Sequence, residues 1–151
     1  MQALFVLGRA IFGGYFVYSG IKHFMNQKGM TGYAAAKHVP AAEAAVPATG
    51  AMLIAGGLSV MAGVKPHQGL AAIFAFLVPV TLQMHRFWEE QNAERHMIEL
   101  TNFSKNVALM GATLALMQID EPWPLSVDEA RADREDMFVH LGGRDLRALP
   151  A

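Results

Sequence analysis

Long apolar segments alternate with polar connections along the first part of the chain. Four such segments occupy residues 4–24, 46–63, 69–84 and 103–119. An α-helix rises about 1.5 Å per residue, so roughly 17–25 residues cross the ~30 Å hydrocarbon core of a bilayer. The pattern therefore predicts an all-α fold, in which residues 1–119 form a transmembrane four-helix bundle.

The connections between these segments differ in character. The sequence "VKPHQG" combines a proline with a glycine and favours a tight turn between the second and third helices. Residues 86–100 are charged and indicate a helix on the membrane surface. Alternation of four crossings places the connections 22–45 and 85–102 on one side of the membrane and both termini on the other.

Residues 120–151 differ from the rest and are predicted to be a soluble tail. Ser126 followed by Glu129 is a capping box, which favours the start of a helix. Apolar residues then mark one helix face: Val127, Ala130, Met137, Phe138 and Leu141. The pair Gly142 and Gly143 favours the end of that helix. We expect a short amphipathic C-terminal helix outside the membrane that docks on the chain's own loops, on lipid or on a partner protein.

Composition supports a membrane setting for the bundle. Of the 151 residues, 53% are apolar and 17% are charged. Residues 44–84 contain a single charged side chain, Lys65, and a soluble domain could not cover its surface with such a segment. The first apolar segment is too long for a signal peptide and lacks a basic region before it, so we expect it to remain in the mature protein.

Arg9 interrupts the first apolar segment and has two interpretations. Its long side chain can extend outward as an anchor at the membrane interface. Alternatively, Arg9 shares one helix face with Phe16, Ser19 and His23, and that face points into the bundle. An inward arginine needs a partner, and the later apolar segments contain no acid, so a lipid phosphate, a backbone carbonyl or a bound anion would have to serve.

Small residues predict where the helices pack. They recur at every fourth position of the second segment: Ala51, Ala55, Ser59 and Gly63. Gly56 and Gly57 widen this surface, and Gly111 belongs to a similar one in the fourth segment. Lipid gives no hydrophobic drive for association, so membrane helices come together by close backbone approach along such faces.

The fourth segment carries a polar face that includes Asn106 and Thr113. Amides rarely face hydrocarbon, so we expect Asn106 to bond across the bundle, for example to Ser19 or Thr81. A ligand-lining role is the alternative.

His23 and His85 end the first and third helices on the same side, so they are the histidines best placed to meet. Imidazole both donates and accepts hydrogen bonds, so the pair could bind a quinone carbonyl, a haem or a metal, or could simply anchor the helices at the water side. Two ligands without a third do not make a metal site, and we predict none. The chain has no cysteine, which excludes dithiol chemistry and thiolate-bound iron–sulfur clusters.

Three stretches resemble the first, second and fourth helices of the DoxX family of small four-helix membrane proteins: "LGRAIFGGYFVYSGIKHF", "GAMLIAGGLSVMAG" and "NFSKNVALMGATLAL". The resemblance covers residues 4–119 and includes Arg9, the pair Gly56 and Gly57, and Asn106. Many members carry a glutamate shortly before the glycine pair, where this chain has Met52 and Leu53. The resemblance implies an association with membrane oxidoreductase complexes, among them a thiosulfate-to-quinone oxidoreductase.

Two function classes follow. In the first, the protein is a membrane subunit of a quinone-linked oxidoreductase assembly, not an enzyme alone, and acts with a redox partner protein. Its quinone-facing groove would be lined by Arg9, Ser19, His23, His85 and Asn106. In the second, it is a non-enzymatic scaffold or small-molecule passage protein with a partner-binding tail. A homo-oligomer is the alternative to association with a partner protein.

An ion-driven transporter is disfavoured because the apolar segments lack carboxylates. Nucleic acid is excluded as a partner by the mixed charge of the tail. The expected location is the bilayer of a bacterial cytoplasmic (inner) membrane, with cytoplasmic termini.

Overall fold

The computed structural model describes residues 2–145, with the side chains of residues 2–140. Within that range the chain forms six α-helices and one short 3₁₀ helix. The helices are α1 (Gln2–Met25), α2 (Gln27–Ala36), α3 (Ala42–Ala62), α4 (Pro66–Met84), α5 (Ala93–Leu116) and α6 (Val127–Asp145), with the 3₁₀ helix at Phe87–Glu89. The all-α fold predicted from the sequence is confirmed.

Three stretches are long and apolar enough to cross a membrane: Gln2–Met25, Ala42–Ala62 and Pro66–Glu89. Helix α5 takes the place of the fourth expected crossing, but its first two turns carry Glu94, Arg95 and Glu99, and it is not among these stretches. The crossing by α5 therefore stays a prediction.

Several connections differ from the sequence prediction. Residues 22–45 contain helix α2, which was not expected. Residues 86–100 do not form a separate surface helix, because the chain makes a 3₁₀ turn and then starts α5 at Ala93. Asn92 caps α5 by accepting a hydrogen bond from the Arg95 amide at 3.0 Å. At the other end of the chain, α6 continues through Gly142 and Gly143 instead of ending there.

Helices α1 and α3 cross antiparallel at two glycine pairs. A Cβ atom built on Gly13 would lie 2.5 Å from the Gly57 carbonyl oxygen, and one on Gly20 would lie 2.5 Å from the Gly50 carbonyl oxygen. No side chain fits between backbones this close, so glycine is required at all four positions. The contact therefore holds α1 and α3 together.

The face of α3 that contacts the other helices includes only part of the small-residue surface predicted from the sequence. Ala51 and Ala55 are exposed, whereas Gly56, Gly57 and Gly63 are buried. Ser59 packs with Gly56 against Gly69 of α4, so this side of α3 holds the α3–α4 hairpin together. Gly111 is exposed and faces open space, with nothing within 4 Å of an added Cβ.

The core runs along the bundle and ends beneath the chain that leaves α5. Seven buried side chains form it: Phe16, Leu53, Val60, Leu70, Ile73, Leu77 and Trp123. Trp123 is fully buried, packs edge-to-face on Phe5 and donates its indole N–H to the Ile119 carbonyl at 3.1 Å. Residues 119–126 therefore cover one end of the bundle.

Candidate functional site

A cavity of about 510 Å³ opens at the other end of the bundle. The last turns of α1 and α4, the first turns of α3 and helix α2 enclose it. Most of its wall is apolar, including Met30, Val46, Phe76, Val80 and Met84. The size and lining are those of a site for a small apolar molecule.

Both predicted histidines line this cavity. His23 Nδ1 lies 2.8 Å from the Ser19 carbonyl oxygen, one helical turn earlier, and its ring stacks edge-to-face near Phe76 with centroids 6.0 Å apart. His85 comes directly after α4, where its Nδ1 lies 2.7 Å from Glu99 Oε2. The structure thus brings the ends of the first and third helices to one site.

Glu99 is the centre of a polar cluster beside the cavity. The residue is 8% exposed, and its carboxylate accepts hydrogen bonds from Tyr33 at 3.0 Å and from His85 at 2.7 Å. Lys37 Nζ lies 3.5 Å from the same carboxylate and 3.4 Å from Glu90. A buried carboxylate requires such partners, because an unpaired charge away from water is costly.

The cluster shifts the pKa of two of its members. Burial raises the pKa of Glu99, but hydrogen bonds from His85 and Tyr33 and the charge of Lys37 outweigh it and hold that pKa below the usual value. Burial, followed by the hydrogen bond to Glu99, raises the pKa of Tyr33 to about 12. At neutral pH, Glu99 is therefore the anion and Tyr33 the neutral donor.

A second, smaller cavity of about 120 Å³ lies between α1, α4 and α5. Ser19, His85 and Asn106 all line it, so His85 borders both cavities. The expected bond from Asn106 across the bundle to Ser19 or Thr81 does not form, and the Thr81 hydroxyl donates to the Leu77 carbonyl in its own helix. Among the described residues, Asn106 is buried yet makes no side-chain hydrogen bond.

Arg9 is remote from both cavities, at the end of the bundle covered by residues 119–126. It is 3% exposed, which excludes the interfacial anchor and agrees with an inward side chain. Its guanidinium donates to the carbonyl oxygens of Pro124, at 3.3 Å, and of Leu125. A backbone carbonyl was one of the partners considered from the sequence, and Arg9 does not join Ser19, His23, His85 and Asn106.

Sequence reasoning missed Glu99 and Tyr33, although a signal existed for the first. Glu99, Asn106 and Thr113 are the buried residues of α5 and recur at seven-residue intervals, so the polar face recognised at Asn106 extends back to Glu99. Tyr33 lies on a helix that the sequence did not predict. No group of three or more metal-ligating side chains occurs in the part of the chain that the structure describes.

Comparison with known proteins identifies a family. The family model described as DoxX matches residues 4–86, which comprise α1 to α4 and the start of the connection after them. No curated protein and no solved structure matches the chain. Helix α5, with Glu99 and Asn106, lies outside the matched residues.

Proposed function

The chain belongs to the DoxX family, and from that premise we propose that it is a membrane subunit of an oxidoreductase-linked assembly that binds a quinone-type molecule in its large cavity. The protein contributes the ligand site, and a redox partner protein supplies the electron transfer. His23 and His85 orient the ligand's oxygen atoms, while the apolar wall takes up its ring and substituents. Both termini are cytoplasmic in this proposal.

The observation that carries the proposal is the combination of volume, lining and position. A cavity of about 510 Å³ exceeds what a buried water needs and suits a substituted ring. It lies where three apolar, membrane-length helices end or begin, so a lipid-soluble ligand can reach it from the bilayer. Two imidazoles in a mostly apolar wall provide polar contacts for a ring with oxygen substituents.

The experiment is purification of the full chain from its native membrane in mild detergent, followed by solvent extraction and mass spectrometry. We expect a quinone or quinol close to one equivalent per chain. Ala45→Phe places a large side chain in the cavity wall and should remove the extracted ligand. Ala55→Phe makes the same change on the exposed side of α3 and should leave it in place. Equal ligand content in the two variants would contradict the proposal.

One observation favours the second function, a scaffold with a partner-binding tail. Helix α6 exposes three consecutive apolar residues, Met137, Phe138 and Val139, at 52%, 67% and 72%. Such a patch is suited to a protein or lipid surface. If the tail recruits a partner, deletion of residues 127–151 removes that partner from the purified membrane complex while the quinone content of the chain is unchanged.

A further inference from the structure

Most of the polar side chains that line the large cavity use their hydrogen-bond donors inside the protein. Four of the five can be assigned from their partners: His23, Tyr33, Thr49 and His85. A backbone carbonyl or a carboxylate only accepts hydrogen bonds, so any group bonded to one must donate. The partners therefore decide which atoms remain for a ligand.

The partners of both histidines require the hydrogen on Nδ1 when the ring is neutral. His23 Nδ1 faces the Ser19 carbonyl oxygen at 2.8 Å, so Nδ1 carries the hydrogen. His85 Nδ1 faces the Glu99 carboxylate at 2.7 Å, so the same holds there. In a neutral imidazole one nitrogen donates and the other accepts, so Nε2 is the acceptor in each ring.

The two hydroxyl groups are committed in the same way. Thr49 donates its only hydroxyl hydrogen within its own helix, to the carbonyls of Ala45 at 2.7 Å and Val46 at 3.0 Å. Tyr33 donates its hydrogen to Glu99 at 3.0 Å. The fifth polar residue, Gln83, gives a hydrogen of Nε2 to the Lys37 carbonyl, and its Oε1 accepts from Arg86. The cavity wall thus offers acceptors in excess of donors.

We infer that the large cavity selects a ligand that brings its own hydroxyl or N–H donors, so that the reduced, dihydroxy form of a quinone binds in preference to the oxidised form. This inference rests on the proposed function and specifies its ligand. A quinone carbonyl would face imidazole lone pairs, whereas a hydroquinone hydroxyl donates to them. An unmatched polar contact in an apolar site costs more than a matched one gains.

The test compares three probes with the same tetramethyl ring: tetramethylhydroquinone, its dimethyl ether, which lacks the hydroxyl donors, and tetramethylbenzoquinone. Isothermal titration calorimetry uses the full chain in phosphatidylcholine nanodiscs, without oxygen, at pH 8. Titration of empty nanodiscs corrects for partition into lipid. We expect the hydroquinone to bind at least ~10-fold more tightly than the other two, as one or two net hydrogen bonds provide.

Two variants connect the preference to the histidines. His23→Phe removes one acceptor, keeps an aromatic ring and leaves the Glu99 cluster intact, and it should lower the ratio of affinities several-fold. Glu99→Gln replaces the acceptor-only carboxylate with an amide that can donate to His85 Nδ1, which frees Nε2 to donate and should also lower the ratio.

The outcomes separate the two claims. If the hydroquinone and the quinone bind equally well, or the quinone binds better, the inference is wrong and the proposed function stands. If the preference is present but neither variant changes it, the assignment to the histidines is wrong. If none of the three probes binds, the proposed function itself fails.

Discussion

The two ends of the bundle differ in the partners of their buried charged side chains and in how completely they are packed. At the covered end, Arg9 is paired with backbone carbonyls of residues 124 and 125, and Trp123 fills the space beneath. At the open end, Glu99 is paired with side chains, and a cavity of about 510 Å³ remains beside it. The covered end is filled by side chains, whereas the open end contains a cavity that can hold a ligand.

The difference shows that a buried charge does not by itself mark a site. Arg9 is more deeply buried than Glu99, yet its partners are carbonyls of the covering segment, and it lines neither of the two cavities described above. The hydrogen-bond partners of Glu99, Tyr33 and His85, themselves line a cavity. Stability should therefore depend most on the covered end, and ligand binding on the open end.

The largest expected effect is that of Trp123→Ala at the covered end. Removing a fully buried indole from the core should lower the free energy of unfolding by roughly 3–5 kcal/mol. Trp88→Ala is the matched control, because Trp88 is 53% exposed at the open end, and its effect should be on the order of 1 kcal/mol. Denaturant titration in detergent measures both. Equal losses would contradict the assignment of Trp123 to the core.

A smaller effect is expected where α1 and α3 touch. Gly57→Ala places a Cβ atom 2.5 Å from the Gly13 carbonyl oxygen, so the helices must separate, at a cost of about 1–3 kcal/mol. Gly111→Ala meets open space and should leave the free energy of unfolding unchanged or raise it by up to ~1 kcal/mol, because alanine favours helix. The same titration distinguishes the two. Tolerance of Gly57→Ala would show that the contact is looser than described.

How far the sequence could predict this structure depends on how local each signal is. Helix length and apolar content are local, and the crossings at α1, α3 and α4 follow from them. Helix α2 was missed because its ten residues are short and only weakly apolar. The contact face of α3 was misplaced because its partners, Gly13 and Gly20, lie on another helix and nothing in α3 alone identifies them.

The site shows the same limit. His23 and His85 could be placed at one end from the alternation of crossings alone, and both line the cavity. The partners of Glu99 lie 66 residues away at Tyr33 and 14 residues away at His85, so only the folded chain brings them together. Arg9 bonds to main-chain carbonyls, which no residue type in the sequence specifies.

Substitution of Arg9 tests how the covering segment is held. Arg9→Met keeps the side-chain length but leaves the carbonyls of Pro124 and Leu125 without their donor, which should cost roughly 1–3 kcal/mol of local stability. Hydrogen exchange of the amides in residues 119–128 should accelerate accordingly, while exchange near the cavity is unchanged. Arg131→Met, at an exposed arginine of α6, should change neither. Unchanged exchange in Arg9→Met would mean that the hydrogen bonds from Arg9 do not hold the segment.

The smallest expected effect is a pH dependence confined to the open end. The pKa of Glu99 is below its ordinary value of 4.5, so the folded chain holds the ionised form more strongly than the unfolded chain does. This stabilisation is complete above the ordinary pKa and is lost as pH falls from there through the folded pKa. Tyr33 has the opposite sign, because its pKa rises from 10.0 to about 12 and its stabilisation is lost as pH rises across that interval.

Two variants isolate these contributions. Glu99→Gln should flatten the acid side of the curve of unfolding free energy against pH, and Tyr33→Phe should flatten the alkaline side. Arg9→Met should shift the curve without changing either slope, since Arg9 lies outside the Glu99 cluster. If Glu99→Gln has the same acid slope as the unmodified chain, the Glu99 cluster does not hold its charge in the folded state, and the contrast between the two ends reduces to packing alone.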